Sequence, residues 1–452
     1  MNNMAIAADM AHHVHGQTNL RLHGQEGPLM ITRGEGIYVW DDQGNRLLDG
    51  ISGLGCTSLG YSNQRLIKAA TQQLETLPYS PTFYNRSSLP SALLSEKLTA
   101  AAPGPLNRVL FQCSGSEAND AAIKIIWYSN RAKGEPNRRK IIGRVRGYHG
   151  NTVAAVSLSG QPHMHAKFGL PLPEFKHTEL PNYYRFHIEG ESEEEFSARM
   201  ARLFDELIQK EDPDTVAAFF AEPVQGGGGA LVPPKGYWEE MQKVIRKHGI
   251  LFLADEVIAG FGRTGDFWAS ETFNLKPDML ACAKALTSAY IPMSALMFKE
   301  EIYQSMMQNS DEVGVFGHGF TYAGHPVASA VALEALSIYE EIDIAAQVRS
   351  VAPFFQDGLK ALEDHPLVGE VRGIGLFCGI ELMKDKTKRE PYPMETKVGE
   401  RVMNAAHDRG LYMRAIGDRL QLMPPLIITK SEIEDLLRIM KAALDDAWSQ
   451  VK

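Results

Sequence analysis

The sequence predicts an α/β protein: a mostly parallel β-sheet covered by helices on both faces, joined to a smaller α+β part. Three observations predict it. Between residues 107 and 300, short apolar runs alternate with amphipathic helical stretches, the pattern of strands that return through crossover helices. The chain has 452 residues, 44% of them hydrophobic, enough for a large core and two domains. After about residue 330 the alternation gives way to one long helix, a few strands and closing helices, which reads as α+β.

Taken in order, the elements begin with MNNMAIAADMAHHVHG. This start lacks the basic residues and long apolar stretch of a signal peptide, and no run approaches the ~18 apolar residues of a membrane span. A cytoplasmic protein is expected. His12, His13 and His15 have metal-ligand chemistry, but the reading adopted for them is a solvated N-terminal arm, with no metal site. EGIYVWDDQGNRLLDG (35–50) reads as a hairpin, two apolar runs around a DQGN turn. SNQRLIKAATQQLETL (62–77) has helical periodicity, with Ser62 as its N-cap.

The sheet strands are NRVLFQ, RKIIGRV, TVAAFFAEP, GILFLADEV, DMLACAK and SALMF. ESEEEF (191–196) opens a helix with acidic residues and reads as a solvated first turn favoured by the helix dipole. HPVASAVALEALSIYEEI starts the long helix after the sheet, and GLFCGIEL and DRLQLMPPL contain the strands that follow.

Composition narrows the partners. Net charge is -9 with no basic block, so nucleic acid and anionic membranes are poor candidates and small molecules better ones. Cys56, Cys113, Cys282 and Cys378 are far apart without a CxxC, which fits reduced thiols and neither disulfides nor zinc.

In a parallel sheet ligands bind beyond the carboxyl ends of the strands, so the residues after each run carry the functional reading. NRVLFQ leads into CSGSEAND, small residues opening a helix whose free N–H groups, with the Ser116 hydroxyl, suit a phosphate; a simple Ser-capped helix is compatible with the same residues. RKIIGRV leads into RGYHGNT, placing Tyr148 at the same edge, where it could stack on a planar ligand or pack in its loop. GILFLADEV ends near Asp255, a carboxylate whose burial requires a partner, and DMLACAK ends in Lys284 among small and apolar residues. A lysine that forms a Schiff base with an aldehyde, a carboxylate for a pyridine nitrogen, an aromatic ring cover and a phosphate-holding helix start together describe pyridoxal 5'-phosphate. GGGG (226–229) and GIGLFCG (373–379) do not give the GxGxxG of a dinucleotide loop.

ADEVIAGFGRTG (254–265), the Lys284 segment, SGSEAND, YHGNT, AEPVQGGGG and GFTYAGHP resemble the class III, fold-type I aminotransferases that use this cofactor. The likeness runs from about residue 20 to about 450 and is strongest to omega-amine transaminases acting with pyruvate. It implies Lys284 as the Schiff-base lysine and Asp255 as the partner of the pyridine nitrogen. Val257 and Tyr148 would cover the two ring faces, and Gly115 and Ser116 would hold the phosphate. Ser114, His149, Glu222 and Phe320 also fall at cofactor-binding positions, and Thr321 would reach the phosphate of a neighbouring subunit's cofactor. A homodimer with shared sites is therefore expected, and a dimer of dimers is left open. The domain division implied is 1–60 as the N-terminal segment of the small domain, 61–330 as the large cofactor domain and 331–452 as the rest of the small domain.

The reaction so implied is ping-pong transamination from a primary amine or omega-amino compound to an oxo acid such as pyruvate. An aminomutase or decarboxylating transaminase would use the same lysine and aspartate, whereas a non-catalytic relative would be expected to have lost one of them. Arg414 in LYMRAIGDRLQLMPPL is either a salt-bridged loop residue or the family's mobile arginine for a substrate carboxylate. The substrate pocket implied has Leu54, Gly55, Phe83, Tyr84, Tyr148, Gly227 and Arg414. Gly55 stands where many relatives have Trp, Gly227 replaces a frequent Ala and Gln17 a common aromatic, so an enlarged cleft is expected at Gly55 and Gly227. Glycine's role in turns is the competing explanation.

Overall fold

Successive side chains of Val216–Ala221 point to opposite faces of a sheet: Ala218 and Phe220 enter one hydrophobic core, Phe219 and Ala221 another. A strand buried on both faces belongs in the middle of a layered α/β structure. The computed structural model describes residues 2–452. Its large sheet has seven strands, ordered Arg108–Gln112, Ser294–Phe298, Met279–Cys282, Leu251–Asp255, Val216–Ala221, Lys140–Arg144 and Phe175–Thr178. Ser294–Phe298 runs antiparallel to both neighbours, and every other pairing is parallel. All six expected strands are present. Phe175–Thr178, with sequence FKHT, was not expected, because a four-residue edge strand with two polar residues has no apolar run to read.

Helix Gly115–Ala132 packs Ala118, Ala122, Ile125 and Ile126 on one face of this sheet, and helices Glu193–Lys210 and Tyr237–His248 pack Phe204, Trp238 and Met241 on the other. Glu193, Glu194 and Glu195 form the first turn of their helix as expected, and Ser192 and Glu195 cap each other reciprocally. The helix expected over 62–77 spans Gln64–Thr76, but its cap is Asn63 and not Ser62. Asn63 Oδ1 accepts the Arg65 and Leu66 amides, while Ser62 sits at φ 59° and donates its hydroxyl to the Gly34 carbonyl.

The hairpin of 35–50 forms from Tyr38–Asp41 and Arg46–Asp49, and Asp41 Oδ1 fixes its turn by accepting the amides of Gln43 and Asn45 at 2.9 and 2.8 Å. Ile31–Glu35 extends it on one side, and Leu411–Tyr412 adds a parallel strand on the other, opposite Leu48 and Asp49. Residues from both chain ends thus share one sheet. The third sheet is antiparallel, ordered Val368–Ile374, Phe377–Leu382, Arg419–Leu422 and Arg414–Ile416. Its first turn requires Gly375: φ is +58° and a Cβ there would lie 2.3 Å from the Arg263 carbonyl oxygen. Pro326–Glu341 is the long helix, and Val398–Asp408 and Lys430–Val451 close the chain.

Candidate active site

Because the strands around the sheet centre are parallel, their carboxyl ends lie along one edge. The loops leaving Arg108–Gln112, Lys140–Arg144, Val216–Ala221, Leu251–Asp255 and Met279–Cys282 bring Ser114–Ser116, Tyr148 and His149, Glu222, Asp255 and Lys284 around a cavity of about 360 Å³. Val257 also lines it, as do Cys56, Cys113, Asn119 and Thr287.

Lys284 enters the cavity from a strained turn. Its φ is +52°, and Ser288 and Ala289 also have positive φ; such backbone costs of order 1–3 kcal/mol per residue and persists only where the surroundings impose it. Here the turn is held by the Tyr339 hydroxyl donating to the Ala285 carbonyl at 2.7 Å and by Thr287 Oγ1 donating to the Ile291 carbonyl at 2.6 Å. Over its whole surface Lys284 is half-buried, but the cavity walls desolvate its charged form and hold its pKa below the usual lysine value, with nearby Arg414 acting in the same sense against Asp255 and Glu222.

Asp255 closes its strand with 3% exposure. Its Oδ2 accepts from Asn119 Nδ2 at 2.9 Å and from His149 Nδ1 at 2.8 Å, and its Oδ1 accepts the Val257 amide at 3.2 Å. Asn119 also donates to the His149 carbonyl at 2.7 Å, so the three residues form one locked set. Glu222 is buried, which pushes its carboxyl pKa up; its two oxygens accept the amides of Tyr148 and Gly226 at 3.0 and 2.7 Å. Glu222 thereby fixes the Tyr148 backbone.

Ser114 caps Gly115–Ala132 by accepting the Glu117 amide, leaving Gly115 and Ser116 in the first turn. A Cβ on Gly115 would sit 3.1 Å from Val257, so glycine lets the helix start and Val257 share one wall. Ser116 Oγ accepts the Asn151 amide at 3.0 Å.

Eight expected positions do not line the cavity of this chain: Leu54, Gly55, Phe83, Tyr84, Gly227, Phe320, Thr321 and Arg414. Phe83 packs against Gly319, and Tyr84 is 82% exposed. Thr321 is exposed, its carbonyl accepting from the Tyr79 hydroxyl at 2.9 Å, and Phe320 stacks edge-on to His318. Arg414 is exposed and, among the described residues, has no side-chain hydrogen bond or ion pair, which removes the salt-bridge explanation for it.

The expected enlargement at Gly227 is corrected. A Cβ there would meet Gln161 Nε2 at 2.4 Å and Tyr148 Cβ at 2.7 Å, so those side chains already occupy the space. Gly55 is buried at φ +72°, and its Cβ would lie 3.2 Å from Met423 Cε and 3.7 Å from Ile258 Cγ2. Ile258 lines the cavity. Asn119 was missed in the sequence reading; it lies one helical turn after Gly115, on the face that meets the sheet edge.

An amine, a carboxylate on two side-chain donors and a helix start, gathered in one cavity, have the donor chemistry that pyridoxal phosphate requires. The fold and site define a fold-type I, pyridoxal-phosphate-dependent transferase. The chain belongs to the class III aminotransferases, matching the family "Aminotransferase class-III" over residues 22–444. It is 48% identical to gamma-aminobutyrate transaminase 1, mitochondrial, of Oryza sativa subsp. japonica, over 92% of this chain and 81% of that protein. It is 45% identical to vanillin aminotransferase of Capsicum annuum, over 94% and 93%. Among solved structures it resembles the omega transaminase of Pseudomonas jessenii in complex with PMP, with TM-score 0.97, 46% identity and coverage of 99% and 98%. It also resembles a thermostable omega transaminase with one tryptophan replaced by glycine, engineered for asymmetric synthesis of enantiopure bulky amines, with TM-score 0.98, 45% identity and coverage of 99% and 100%. The chain is thus an enzyme that transfers amino groups with pyridoxal phosphate.

Proposed function

We propose that this aminotransferase takes primary amines or omega-amino compounds as donors and a small oxo acid such as pyruvate as acceptor, in ping-pong turnover at the Lys284 cavity. The observation that carries this reading is the convergence of Lys284, Asp255 and the Gly115–Ser116 helix start in one cavity. The names of the omega transaminases it resembles support the donor class.

When bound, pyridoxal phosphate supplies an aldehyde carbon and a ring that accepts electrons from the donor carbon. Lys284 would hold the cofactor between turnovers, and its amine would move the proton of the donor carbon. Its lowered pKa makes the neutral, proton-accepting form available. Asp255, oriented by Asn119 and His149, keeps a proton on the ring nitrogen. Gly115 and Ser116 bind the phosphate through backbone amides and the hydroxyl. Ser114 positions that turn by capping it, and Val257 and Tyr148, which line the cavity, would cover the ring. Arg414, without an ion pair among the described residues, turns inward for an oxo acid's carboxylate and outward for an apolar amine.

Thr321, exposed here, and half-buried Phe320 serve the cofactor of a second subunit in a homodimer, and Phe83, Tyr84 and Leu54 lie at the mouth so completed. The two chain ends, 1–60 and 331–452, form a smaller domain beside a large domain of 61–330, a division supported by the sheet that pairs Arg46–Asp49 with Leu411–Tyr412. Four free cysteines favour a reducing compartment, taken as the cytoplasm, which cell fractionation checks. No described helix is long and apolar enough to cross a membrane.

A panel of polyamines, omega-amino acids and aryl-alkyl amines with pyruvate, followed by alanine formation, tests the function. Alanine from at least one amine class is expected. If none yields alanine while another oxo acid accepts the amino group, the pyruvate assignment is wrong; carbon dioxide release or an isomeric amine as the sole product would instead mark a decarboxylating enzyme or an aminomutase.

A further inference from the structure

The N-terminal segment holds a side-chain cluster unrelated to the cavity. Asp9 lies on helix Asn2–His12 and His23 on helix Leu20–Glu26, with His13 and His15 in the connection. His15 Nε2 is 2.9 Å from Asp9 Oδ1, His23 Nε2 is 3.3 Å from the same oxygen, and His13 Nδ1 donates to Asp9 Oδ2 at 2.9 Å. The solvated arm expected for His12, His13 and His15 describes His12 and His13, which are exposed, but not His15, which is half-buried against Asp9; His23, outside that expectation, is 9% exposed.

His23 Nε2 has no hydrogen-bond partner although it is buried and directed at Asp9. The His15 and His23 rings stack 4.1 Å apart at 30°, and both Nε2 atoms lie against the same Asp9 Oδ1. A divalent cation held by the two imidazole nitrogens and the carboxylate gives the orphaned His23 Nε2 a bond. Ligand atoms at 2.0–2.2 Å from a tetrahedral zinc are roughly 3.4 Å apart, and the Asp9, His15 and His23 ligand atoms all lie within 4.8 Å of one another. Among the described residues no other histidine, cysteine and carboxylate group meets this condition.

We propose that Asp9, His15 and His23 bind a borderline divalent metal ion of the zinc class, with His13 orienting the carboxylate from outside and solvent completing the coordination. Two neutral nitrogens and one carboxylate oxygen suit zinc, nickel or copper better than magnesium or calcium, which favour all-oxygen sets. The ion would fasten the first helix to the second. Gln17, between His15 and His23, contacts His163 Nε2 through its Oε1 at 3.2 Å, so the fastened arm is also tied to the segment beside Gln161.

Zinc titrated by calorimetry into tag-free, metal-stripped holoenzyme tests the site. One ion per chain is expected, with the same affinity in His12→Ala. Asp9→Asn and His15→Ala should each lose the stoichiometric phase, and His13→Ala should weaken it about 10-fold, as for an outer partner. Asp9 and His15 are not in the cavity, so unchanged visible absorbance of the bound cofactor and unchanged turnover verify that these variants are folded. Absence of a stoichiometric phase in the parent, or its persistence in both Asp9→Asn and His15→Ala, would overturn the proposal. Weak binding equal in parent and variants would mark the cluster as an ion-pair network only.

Discussion

At the scale of single residues, Lys284 combines two opposed features: a left-handed backbone that costs free energy and an amine whose charge the cavity opposes. Both are tolerable where function needs a neutral amine at a fixed place. Linkage gives the sign of the pH effect. Between its lowered folded pKa and the ordinary lysine value near 10.5, the folded apo-enzyme binds fewer protons than the unfolded chain at this residue, so its contribution to stability rises with pH across that window. Urea unfolding of apo-enzyme should therefore show Lys284→Met gaining most over the parent below the window. An equal difference at all pH values would mean that the amine titrates normally.

Asp255→Asn keeps the hydrogen bond from the Val257 amide but removes the charge that favours a protonated ring nitrogen. An adjacent charge shifts a pKa by about 1–3 units, so kcat should fall roughly 10- to 1000-fold with cofactor still bound. Undiminished kcat would remove Asp255 from the chemistry.

Gly55 joins backbone and pocket arguments. Its φ of +72° gives a conformational reason for glycine, and its neighbour Ile258 gives a route to the cavity. Gly55→Ala should cost about 1–2 kcal/mol from the left-handed backbone alone. Gly55→Trp should add a selective loss for a bulky amine of one to two powers of ten, following about 1.5–3 kcal/mol for a large apolar group. Equal activity of Gly55→Trp and Gly55→Ala on slim and bulky amines would show that the space is unused.

At the scale of elements, the strands were legible because each central one is a continuous apolar run, the mark of burial on both faces. Less legible were features set by distant contacts: Phe175–Thr178 acquires strand structure only by pairing with Lys140–Arg144, and the Ser62 hydroxyl is diverted from capping by the Gly34 carbonyl. Ser114 is the capping serine of helix Gly115–Ala132, whereas the Ser116 hydroxyl accepts the Asn151 amide. Ser114→Ala should cost about 1 kcal/mol of stability and weaken cofactor retention, read by calorimetry and cofactor release. Full retention would mean that the helix start holds its shape without the cap.

At the scale of the whole molecule, the residues after the strand ends could be found from the order of the chain, since parallel strands place their ends along one edge. The outcome at Gly227 could not: its space is filled by Tyr148 and by Gln161 from a separate loop, which no local pattern shows. Thr321, Tyr84 and Leu54 are exposed in one chain, as residues serving a second subunit would be. If two subunits share sites as proposed, cofactor should dissociate on dilution, and Thr321→Ala should hasten that loss. Full activity of a monomer in analytical ultracentrifugation and assay would contradict shared sites.

The cavity of Lys284 stands or falls as the catalytic centre on where the cofactor is attached. Borohydride reduction of the holoenzyme, followed by proteolysis and mass mapping of the pyridoxyl group, tests it most directly. One label per chain is expected on the peptide containing Lys284 and none in Lys284→Ala. A label on any other lysine of the active parent enzyme would contradict it.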